Sequence, residues 1–279
     1  MLQDLDFGQL ENAFQNITAD GEDQILCFHE GLVLLCRKAD DSLTLPTLAA
    51  LSPAATAPRF LFRMQEQNYF LWTDSTPIAP TGFTYEAVRQ LRQHQSKNVC
   101  FAVMTGWHLY NWYRSNRICG CCGTPTEHDT KERMLRCPSC GNMIFPRISP
   151  AVIVAVTNGE RLLLSKYAGR AYTRYALLAG YTEIGETIEQ TVHREVFEEV
   201  GLCVKNLRYY KSQPWGVDGN VLMGFYCDVD GSDEIHIDEN ELSMADWYPR
   251  NALPAQDDGI SLTREMIRVF GEGNEPKSG

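Results

Sequence analysis

The chain has 279 residues, and its 25 basic and 36 acidic side chains give a formal net charge of −11 at pH 7. This charge disfavours unspecific binding to nucleic acid or to an anionic membrane, so any contact with RNA has to be local. No apolar run has the length of a membrane span, and the acidic start lacks the basic region of a signal peptide. We therefore expect a cytoplasmic protein, long enough for two domains or for one domain and a smaller module.

Residues 1–112 alternate short apolar runs with turns, among them ILCFHE, GLVLLC, RFLFRM and NYFLWT. Such runs predict a small, mainly β domain that contains a helix over residues 83–95, with a second helix over residues 100–116. The histidines of this region, including His94, stand alone, and nothing has the layout of a catalytic set. We expect this domain to have a supporting or dimer-forming role.

Five of the ten cysteines are clustered in residues 113–148. Four of them form two C-x2-C pairs, separated by fourteen residues and each followed at once by glycine: Cys119 with Cys122, and Cys137 with Cys140. This spacing predicts a zinc ribbon, because each turn points two thiolates at one tetrahedral Zn²⁺ and the glycine relieves the backbone. Four thiolates leave no open coordination position, so we expect a structural ion, with Cys121 pointing away. A redox C-x2-C motif is the alternative, which the presence of two pairs disfavours.

Residues 149–271 contain several strand-like runs and two helical ones. The first two runs flank Asn158-Gly159, which predicts a β-hairpin. A helix follows near residues 187–200, then three more strands, and a last helix over residues 261–270. Strands placed around one central helix, with a late helix, predict an α/β fold: an α/β/α sandwich with a mixed sheet. The polar end, residues 272–279, is expected to be disordered.

The most informative stretch is residues 180–202, GYTEIGETIEQTVHREVFEEVGL. Gly180 and Gly185 permit a tight loop before a helix, and Gly201 is placed to end it. Apolar residues recur at every fourth position of the predicted helix and give it a buried stripe: Ile188, Val192, Val196 and Val200.

The carboxylates of this helix take another face. Glu195 and Glu199 are four residues apart, Glu198 lies within a turn of both, and Arg194 adjoins them. Like charges at this spacing cost a helix roughly a few tenths of a kcal/mol per pair. A site for a hard divalent cation explains that cost, whereas a solvated acidic face is the alternative for three glutamates alone.

Residues 180–202 match the pattern G-x5-E-x7-R-E-U-x-E-E-x-G-U, with U aliphatic, at every specified position. In this the chain resembles the Nudix hydrolases, which implies Mg²⁺- or Mn²⁺-dependent cleavage of a pyrophosphate bond in a nucleoside diphosphate derivative. The paired cysteines before the box and the sequence SQPW at residues 212–215 narrow the resemblance to the NAD(H) pyrophosphatase branch. That branch continues as SQPWPFPxS, whereas this chain continues with GVDGN, which leaves the choice of dinucleotide open.

The resemblance implies roles for individual residues. Metal ligation is assigned to Glu195, Glu199 and Glu241, with Glu198 alongside and the carbonyl of Ala179 as a further ligand, and Arg194 orients the glutamates. Substrate contacts are assigned to Tyr181 and Phe145, which stack on the nicotinamide, and to Gln213, Pro214 and Trp215. Glu241 has the alternative of a surface acid, and Phe145 that of a core aromatic. The family also implies a homodimer in which Phe145 serves the partner's site.

The predicted reaction is attack of water on one phosphorus of NAD(H), giving NMN(H) and AMP, with Glu198 or Glu199 as the base. Two other enzymatic readings use the same site: removal of NAD caps from RNA 5′ ends, and hydrolysis of ADP-ribose or another dinucleotide. A local basic set could guide RNA: Arg114, Arg117, Lys131, Arg133, Arg136 and Arg147. The non-enzymatic alternative is a nucleotide-sensing binding protein, which the complete set of glutamates disfavours.

Overall fold

The computed structural model describes residues 1–4, 10–51, 57–74, 76–78, 80–93, 96–169, 173–254 and 259–277. The chain forms two compact units. The N-terminal unit comprises Leu2–Ile148 and Trp215–Gly219, and the C-terminal unit comprises Met1, Ser149–Pro214 and Asn220–Gly279. Within the described residues, no helix is long and apolar enough to cross a membrane.

The N-terminal unit begins with eight short strands: β1 (Leu10–Glu11), β2 (Gln24–Leu26), β3 (Phe28–His29), β4 (Leu32–Arg37), β5 (Leu43–Thr44), β6 (Arg59–Met64), β7 (Gln67–Leu71) and β8 (Thr84–Ala87). They form one sheet in the order β1-β6-β7-β2 and a second in the order β3-β4-β5, with β8 paired to β4. Buried residues of both sheets share a core that includes Ile25, Leu34 and Phe70. The predicted mainly β region is present, divided between two sheets.

The helix predicted over residues 83–95 is wrong. Thr84–Ala87 is strand β8, antiparallel to β4, and a 3-10 helix follows at Val88–Gln93. Pairing with β4 satisfies the backbone of this segment and places Tyr85 against the core, which outweighs its helical pattern. Residues 94 and 95, and with them His94, lie outside the described residues.

The second predicted helix is present as α1 (Lys97–Ser115), which continues past the predicted domain end at residue 112. Ser96 caps it, because the Ser96 hydroxyl accepts a hydrogen bond from the Val99 N–H at 3.4 Å. After α1 the chain forms a small antiparallel sheet in the order β11-β10-β9: β9 (Glu127–His128), β10 (Leu135–Arg136) and β11 (Met143–Ile144).

The C-terminal unit is built on a mixed sheet: β12 (Ser149–Asn158), β13 (Arg161–Tyr167), β14 (Leu178–Tyr181), β15 (Val204–Trp215, whose last residue belongs to the N-terminal unit), β16 (Asn220–Val229) and β17 (Leu242–Pro249). Its order is β15-β16-β12-β13-β17, with β14 also paired to β12. Strand β12 runs parallel to β16 and antiparallel to β13 and β14. The predicted hairpin at Asn158-Gly159 is confirmed, with Asn158 opposite Arg161.

Two helices cover the two faces of this sheet: α2 (Ile188–Val200) and α3 (Leu262–Gly271). Alternate residues of β12 point to opposite faces. Val152, Val154 and Val156 pack with the apolar stripe of α2, whereas Ile153 and Ala155 pack with α3. This arrangement is the predicted α/β/α sandwich with a mixed sheet.

The end of the chain differs from the expected disordered tail. Up to residue 277 it is described, and Glu275 forms two hydrogen bonds with Arg250, at 2.7 and 3.0 Å. The Asn274 N–H also donates to the Val269 carbonyl of α3. A bidentate arginine contact is strong enough to hold a polar segment that lacks apolar residues of its own.

Candidate functional site

Helix α2 and the loop before it begin and end as the sequence predicts. The Thr187 hydroxyl accepts a hydrogen bond from the Gln190 N–H, and the Gln190 side chain accepts one from the Thr187 N–H, which completes a capping box. Gly201 ends the helix in the left-handed region, with φ of 70°. The helix is therefore fixed at both ends, and its polar face is held in one orientation.

Gly180, in strand β14, lies directly against the Glu195 carboxyl group. A Cβ atom at Gly180 would be 1.8 Å from Cδ of Glu195 and 2.0 Å from each of its carboxylate oxygens. Only glycine leaves room for the carboxylate at this position. Ala179 directly precedes Gly180, so the peptide group that joins them adjoins the same carboxylate.

Arg194 joins the loop to the helix through five hydrogen bonds. Its Nε and Nη2 donate to the two carboxylate oxygens of Glu186, at 2.6 and 3.0 Å. Its Nη1 donates to Glu195 at 2.7 Å and to Glu198 at 2.9 Å, and Nη2 also donates to the Tyr181 carbonyl at 2.8 Å. The hydrogen bond from Arg194 lowers the pKa of Glu186 to about 2. One guanidinium thus fixes three carboxylates and the end of β14.

The glutamates of α2 differ in exposure. Glu195 and Glu199 are 9% and 2% exposed, whereas the Glu198 side chain is 58% exposed. Burial raises the pKa of Glu195, the Arg194 contact opposes that rise, and the charges of Glu198 and Glu241 add to it. Two buried carboxylates and a third at the surface therefore lie on one face of the helix.

Glu241 lies at the end of the loop 236–241, next to the end of α2. This loop is attached to the end of α2, because the N–H groups of His236 and Asp238 donate to the carbonyls of Val200 and Glu199, at 2.9 and 3.0 Å. Glu241 itself is exposed, and its negative charge contributes to the rise in the pKa of Glu195. The loop that ends at Glu241 is thus anchored to the helix that carries the other three glutamates.

These carboxylates fit a divalent cation. Their oxygens are the ligands that Mg²⁺ and Mn²⁺ prefer, and the space beside Gly180 is kept free for the Glu195 carboxylate alone. Arg194 supplies one positive charge to a cluster that contains several negative ones. A bound cation would offset the remaining charge, so the residues suit the metal that the sequence predicts.

The predicted substrate residues of the C-terminal unit have different surroundings. Tyr181 is 51% exposed, and its hydroxyl hydrogen-bonds the Asn220 side chain at 3.0 to 3.2 Å, which ties the exposed residue to the start of β16. Gln213 is fully buried, its Nε2 donates to the Ile260 carbonyl, and its Oε1 accepts from the Leu262 N–H, both at 2.8 Å. The Gln213 amide therefore braces the start of α3. Pro214, the next residue, is exposed.

Trp215 and the residues after it belong to the N-terminal unit, where they pack on α1. A Cβ at Gly216 would lie 2.2 Å from the Met104 carbonyl oxygen, so the backbone approach itself requires glycine at this point of the altered motif. Asp218 accepts a hydrogen bond from Trp215 Nε1 at 3.1 Å and forms an ion pair with Arg89 at 2.5 Å. Asp218, which lies in the altered part of the motif, thus holds the Trp215 ring in place.

Phe145 also lies in the N-terminal unit, and its ring is 52% exposed, so it is not a core aromatic of the chain. The predicted basic set is not uniform. Five of its members are exposed, and the first of them lies over the Tyr110 ring: Arg114, Arg117, Lys131, Arg136 and Arg147. Arg133 differs, because it is partly buried and donates to Asn12 and to the Leu61 carbonyl.

The four predicted zinc ligands form the one group of described residues whose metal-binding atoms all lie within 4.8 Å of one another. The Sγ atoms of Cys119 and Cys140 are 3.6 Å apart, and those of Cys122 and Cys137 are 3.4 Å apart. A disulfide would bring two sulfurs to about 2.05 Å, whereas ligands of tetrahedral zinc at about 2.3 Å are about 3.8 Å apart. The group therefore suits a structural Zn²⁺.

Both cysteine pairs use the same backbone turn. The N–H of Gly123 donates to the Cys119 carbonyl at 2.9 Å, and the N–H of Gly141 donates to the Cys137 carbonyl at 3.0 Å. Both glycines have positive φ, 76° and 74°, which is the backbone relief that the sequence predicts. Cys121 is exposed and lies outside the ligand group, as expected.

Sequence reasoning missed two contacts of the site. Glu186 is the main partner of Arg194. It occupies a specified glutamate position of the matched pattern, but no role was predicted for it. Asp218 holds Trp215, and it lies in the part of the motif that departs from the family. Both contacts join residues whose pairing has no regular spacing, so periodicity does not reveal them.

Comparison with known proteins adds two family matches. The NUDIX domain model matches residues 147–270, and the NADH pyrophosphatase zinc ribbon domain model matches residues 114–145. A curated protein from Pseudomonas aeruginosa (strain LESB58), named NAD-capped RNA hydrolase NudC, is 37% identical over 205 residues, which cover 74% of this chain and 73% of that protein. A protein of the same name from Chromobacterium violaceum is 42% identical over 160 residues, 57% of this chain and 60% of its own. Among solved structures, a NUDIX hydrolase from Nitrosomonas europaea aligns over 56% of this chain and 91% of its own, with a TM-score of 0.49 and 20% identity.

Proposed function

This chain belongs to the Nudix hydrolases that carry an NADH pyrophosphatase zinc ribbon, and we propose that it hydrolyses the pyrophosphate bond of NAD(H) to NMN(H) and AMP. The observation that carries the proposal is the complete carboxylate set around Arg194, which fixes Glu186, Glu195 and Glu198 beside the buried Glu199. A nucleotide sensor without turnover has no need of this arrangement.

The carboxylates would hold Mg²⁺ or Mn²⁺ through Glu195, Glu199 and Glu241, with Glu198 and the Ala179 carbonyl alongside. When bound, the metal supplies positive charge to the phosphate oxygens and lowers the pKa of water. The chain itself orients the glutamates through Arg194 and keeps Glu195 in place against Gly180. Glu198 or Glu199 takes the proton of the attacking water, and the exposed Glu198 can pass a proton on to solvent.

The exposed rings of Tyr181 and Phe145 are proposed to stack on the nicotinamide, with Pro214 and Trp215 as further substrate contacts. Gln213 acts on the substrate through the segment it braces, because its own amide is buried and hydrogen-bonded. The homodimer, the contribution of Phe145 to a partner's site and the cytoplasmic location stay predictions from the family resemblance.

Replacing Glu199 with Gln tests the proposal. Release of AMP from NADH should fall by at least about 10³-fold, because a metal ligand loses its charge while its shape is kept. Glu189→Gln, which changes an exposed glutamate of the same helix, is the matched control and should leave the rate within about two-fold. Equal rates for the Glu199→Gln variant and the unchanged protein would contradict the metal assignment.

Removal of NAD caps from RNA is the second candidate, because both relatives named above are NAD-capped RNA hydrolases and five basic residues near the ribbon lie at the surface. Raising salt from 50 to 200 mM should lower the rate on capped RNA about ten-fold or more and leave that on NADH nearly constant. The double change Arg117→Gln with Arg136→Gln should reduce the salt effect, whereas Lys38→Gln should not. Equal salt dependence for the two substrates would count against RNA as the substrate.

A side-by-side assay of NADH, NAD⁺, ADP-ribose and diadenosine diphosphate decides the third candidate. A preference for NADH would indicate that GVDG, which packs on α1 at Gly216 and is joined to Arg89 through Asp218, replaces the missing half of the family motif. A preference for ADP-ribose would indicate that the altered segment has changed the substrate, with the hydrolytic chemistry retained.

A further inference from the structure

The N-terminal unit contains a cavity of about 230 Å³ that the proposed reaction does not use. It lies between the start of β6, the last turns of α1 and the β9–β10 hairpin of the ribbon. The residues that matter for its chemistry line its wall: Phe14, Arg59, Tyr113, His128, Thr130 and Arg133. All of them belong to the N-terminal unit.

Two guanidinium groups converge on one phenol in this cavity. The Arg59 guanidinium carbon lies 4.8 Å from the centre of the Tyr113 ring, in a cation–π contact. Burial raises the pKa of Tyr113, and the positive charges of Arg59 and Arg133 both oppose that rise. Arg59, Tyr113 and Arg133 all line this cavity, so the two cations and the phenol share one space.

Neither arginine has a carboxylate partner in the described parts of the chain. Arg133 donates to the Asn12 amide oxygen and to the Leu61 carbonyl, which are both neutral, and its Nε is buried without a hydrogen-bond partner. Arg59 makes its cation–π contact and forms no ion pair with another described residue. Burial lowers the pKa of both arginines, so keeping them charged costs free energy that a counter-charge would offset.

The acidic residues of the wall do not supply that counter-charge. The Asp129 carboxylate accepts hydrogen bonds from the N–H groups of Lys131 and Glu132, at 2.8 and 3.0 Å, and so stabilises the turn in which it lies. Glu132 is exposed. Burial, with the Arg59 charge, lowers the pKa of His128 to about 4, so this ring is neutral at pH 7 and can donate one hydrogen bond. The interior of the cavity is thus cationic, with hydroxyl and imidazole groups beside the charges.

We propose that this cavity binds the phosphate group of a small phosphorylated molecule, with Arg59 and Arg133 as the cationic contacts and the Tyr113 hydroxyl as a hydrogen-bond donor. Paired guanidinium groups match phosphate oxygens in geometry and charge. The cavity is smaller than the roughly 300–1,000 Å³ of pockets for drug-sized ligands, so a dinucleotide does not fit inside it. Inorganic phosphate and a mononucleotide phosphate such as that of AMP remain as sources of the same group.

Calorimetric titration of the full chain with inorganic phosphate, and separately with AMP, in chloride buffer without added divalent cation tests this site. Arg59→Gln should weaken binding about ten-fold or more, because a charged hydrogen-bond donor is lost. Tyr113→Phe keeps the ring under Arg59 and should weaken binding a few-fold. Lys131→Gln removes an exposed positive charge of the same hairpin and is the matched control, expected to change the Kd less than two-fold.

The possible outcomes distinguish AMP from inorganic phosphate as the ligand, and they distinguish this site from the proposed hydrolysis of NADH. Tighter binding of AMP than of phosphate, lost in Arg59→Gln, would identify a mononucleotide; equal affinities, both lost, would identify the phosphate group alone. No binding, unchanged affinity in Arg59→Gln, or an equal loss in Lys131→Gln would overturn the site. Hydrolysis of NADH should stay the same in Arg59→Gln, and its circular dichroism spectrum should match that of the unchanged chain, so failure here leaves the proposed function untouched.

Discussion

The cysteines of the zinc ribbon and the glutamates proposed to bind a divalent metal are arranged by the chain in opposite ways. In the ribbon, each cysteine pair is formed by one short turn, and the same backbone hydrogen bond and glycine occur in both. In the glutamate site, the proposed ligands come from strand β14, helix α2 and the loop 236–241, and Arg194 joins the first two. The ribbon is organised by local geometry and its ion, the glutamate site by the fold around it.

Because the two sites are built differently, we expect their structures to depend on bound metal to different degrees. The four thiols of the ribbon have few other groups to arrange them, since its three strands have two residues each. The carboxylates have an internal cation in Arg194 and a helix packed on the sheet through Val192, Val196 and Val200. We therefore expect the ribbon to lose its structure without metal, and the glutamate site to keep its structure but lose activity.

The largest effect is expected for Cys137→Ser. The chain should bind one Zn²⁺, and this change should abolish zinc binding and unfold the ribbon, because structural zinc contributes about 10 kcal/mol or more to folding in small domains. Zinc per chain, measured by mass spectrometry, and near-ultraviolet circular dichroism check this. Cys121→Ser is the matched control and should keep one zinc per chain. A ribbon that keeps its structure without zinc would contradict the expectation that its fold depends on the metal.

The next effect is expected for Gly180→Ala. The added Cβ would lie 1.8 Å from Cδ of Glu195, so the carboxylate has to move by more than 1 Å, and kcat for NADH should fall by about 10²-fold. Stability should change little, because the atoms that move are the end of a flexible side chain. Gly21→Ala, whose Cβ would make an ordinary contact of 3.6 Å with Ala49, is the control. An active Gly180→Ala variant would show that the Glu195 position is not set by this contact.

The same difference explains what the sequence predicted. Local signals succeeded: the cysteine pairs, the Gly201 helix end, the stripe on α2 and the hairpin at Asn158-Gly159 all follow from spacing alone. Predictions failed where a distant partner decides the outcome. Thr84–Ala87 became a strand because β4 pairs with it, and Glu275, near the end of the chain, is held by Arg250.

In the candidate site, too, the sequence predicts local features better than contacts between distant residues. The family pattern identified the residues, but their arrangement depends on contacts across the fold, such as Arg194 with Glu186 and Gly180 with Glu195. The burial of Gln213 against Ile260 and Leu262 joins segments almost fifty residues apart, and no periodicity marks such a pair. The amphipathic pattern of α2 fixes which face of the helix is polar, whereas the contacts of that face come from the fold.

A smaller effect is expected for Arg194→Lys. Lysine keeps the positive charge, but its single ammonium group cannot reach Glu186, Glu195, Glu198 and the Tyr181 carbonyl together. We expect kcat to fall about ten-fold, with an increase in the metal concentration required for half-maximal activity. Arg268→Lys, which changes an ion pair of α3 at the surface, is the control. If charge alone mattered, the Arg194→Lys variant would keep full activity. That result would contradict the view that contacts across the fold set the geometry of the glutamate site.

The smallest effect is on acid stability. The hydrogen bond from Arg194 lowers the pKa of Glu186 from 4.5 to about 2, so its contribution to stability is fully present above about pH 4.5 and is lost as the pH falls toward 2. Urea unfolding should therefore separate Glu186→Gln from the unchanged chain most at pH 6, with a difference that narrows between pH 4.5 and 3. High salt should weaken the Glu186 effect, since the pair lies near the surface. A difference that stays constant from pH 6 to 3 would mean that the negative charge of Glu186 does not stabilise the loop, and would contradict the role given to its contact with Arg194.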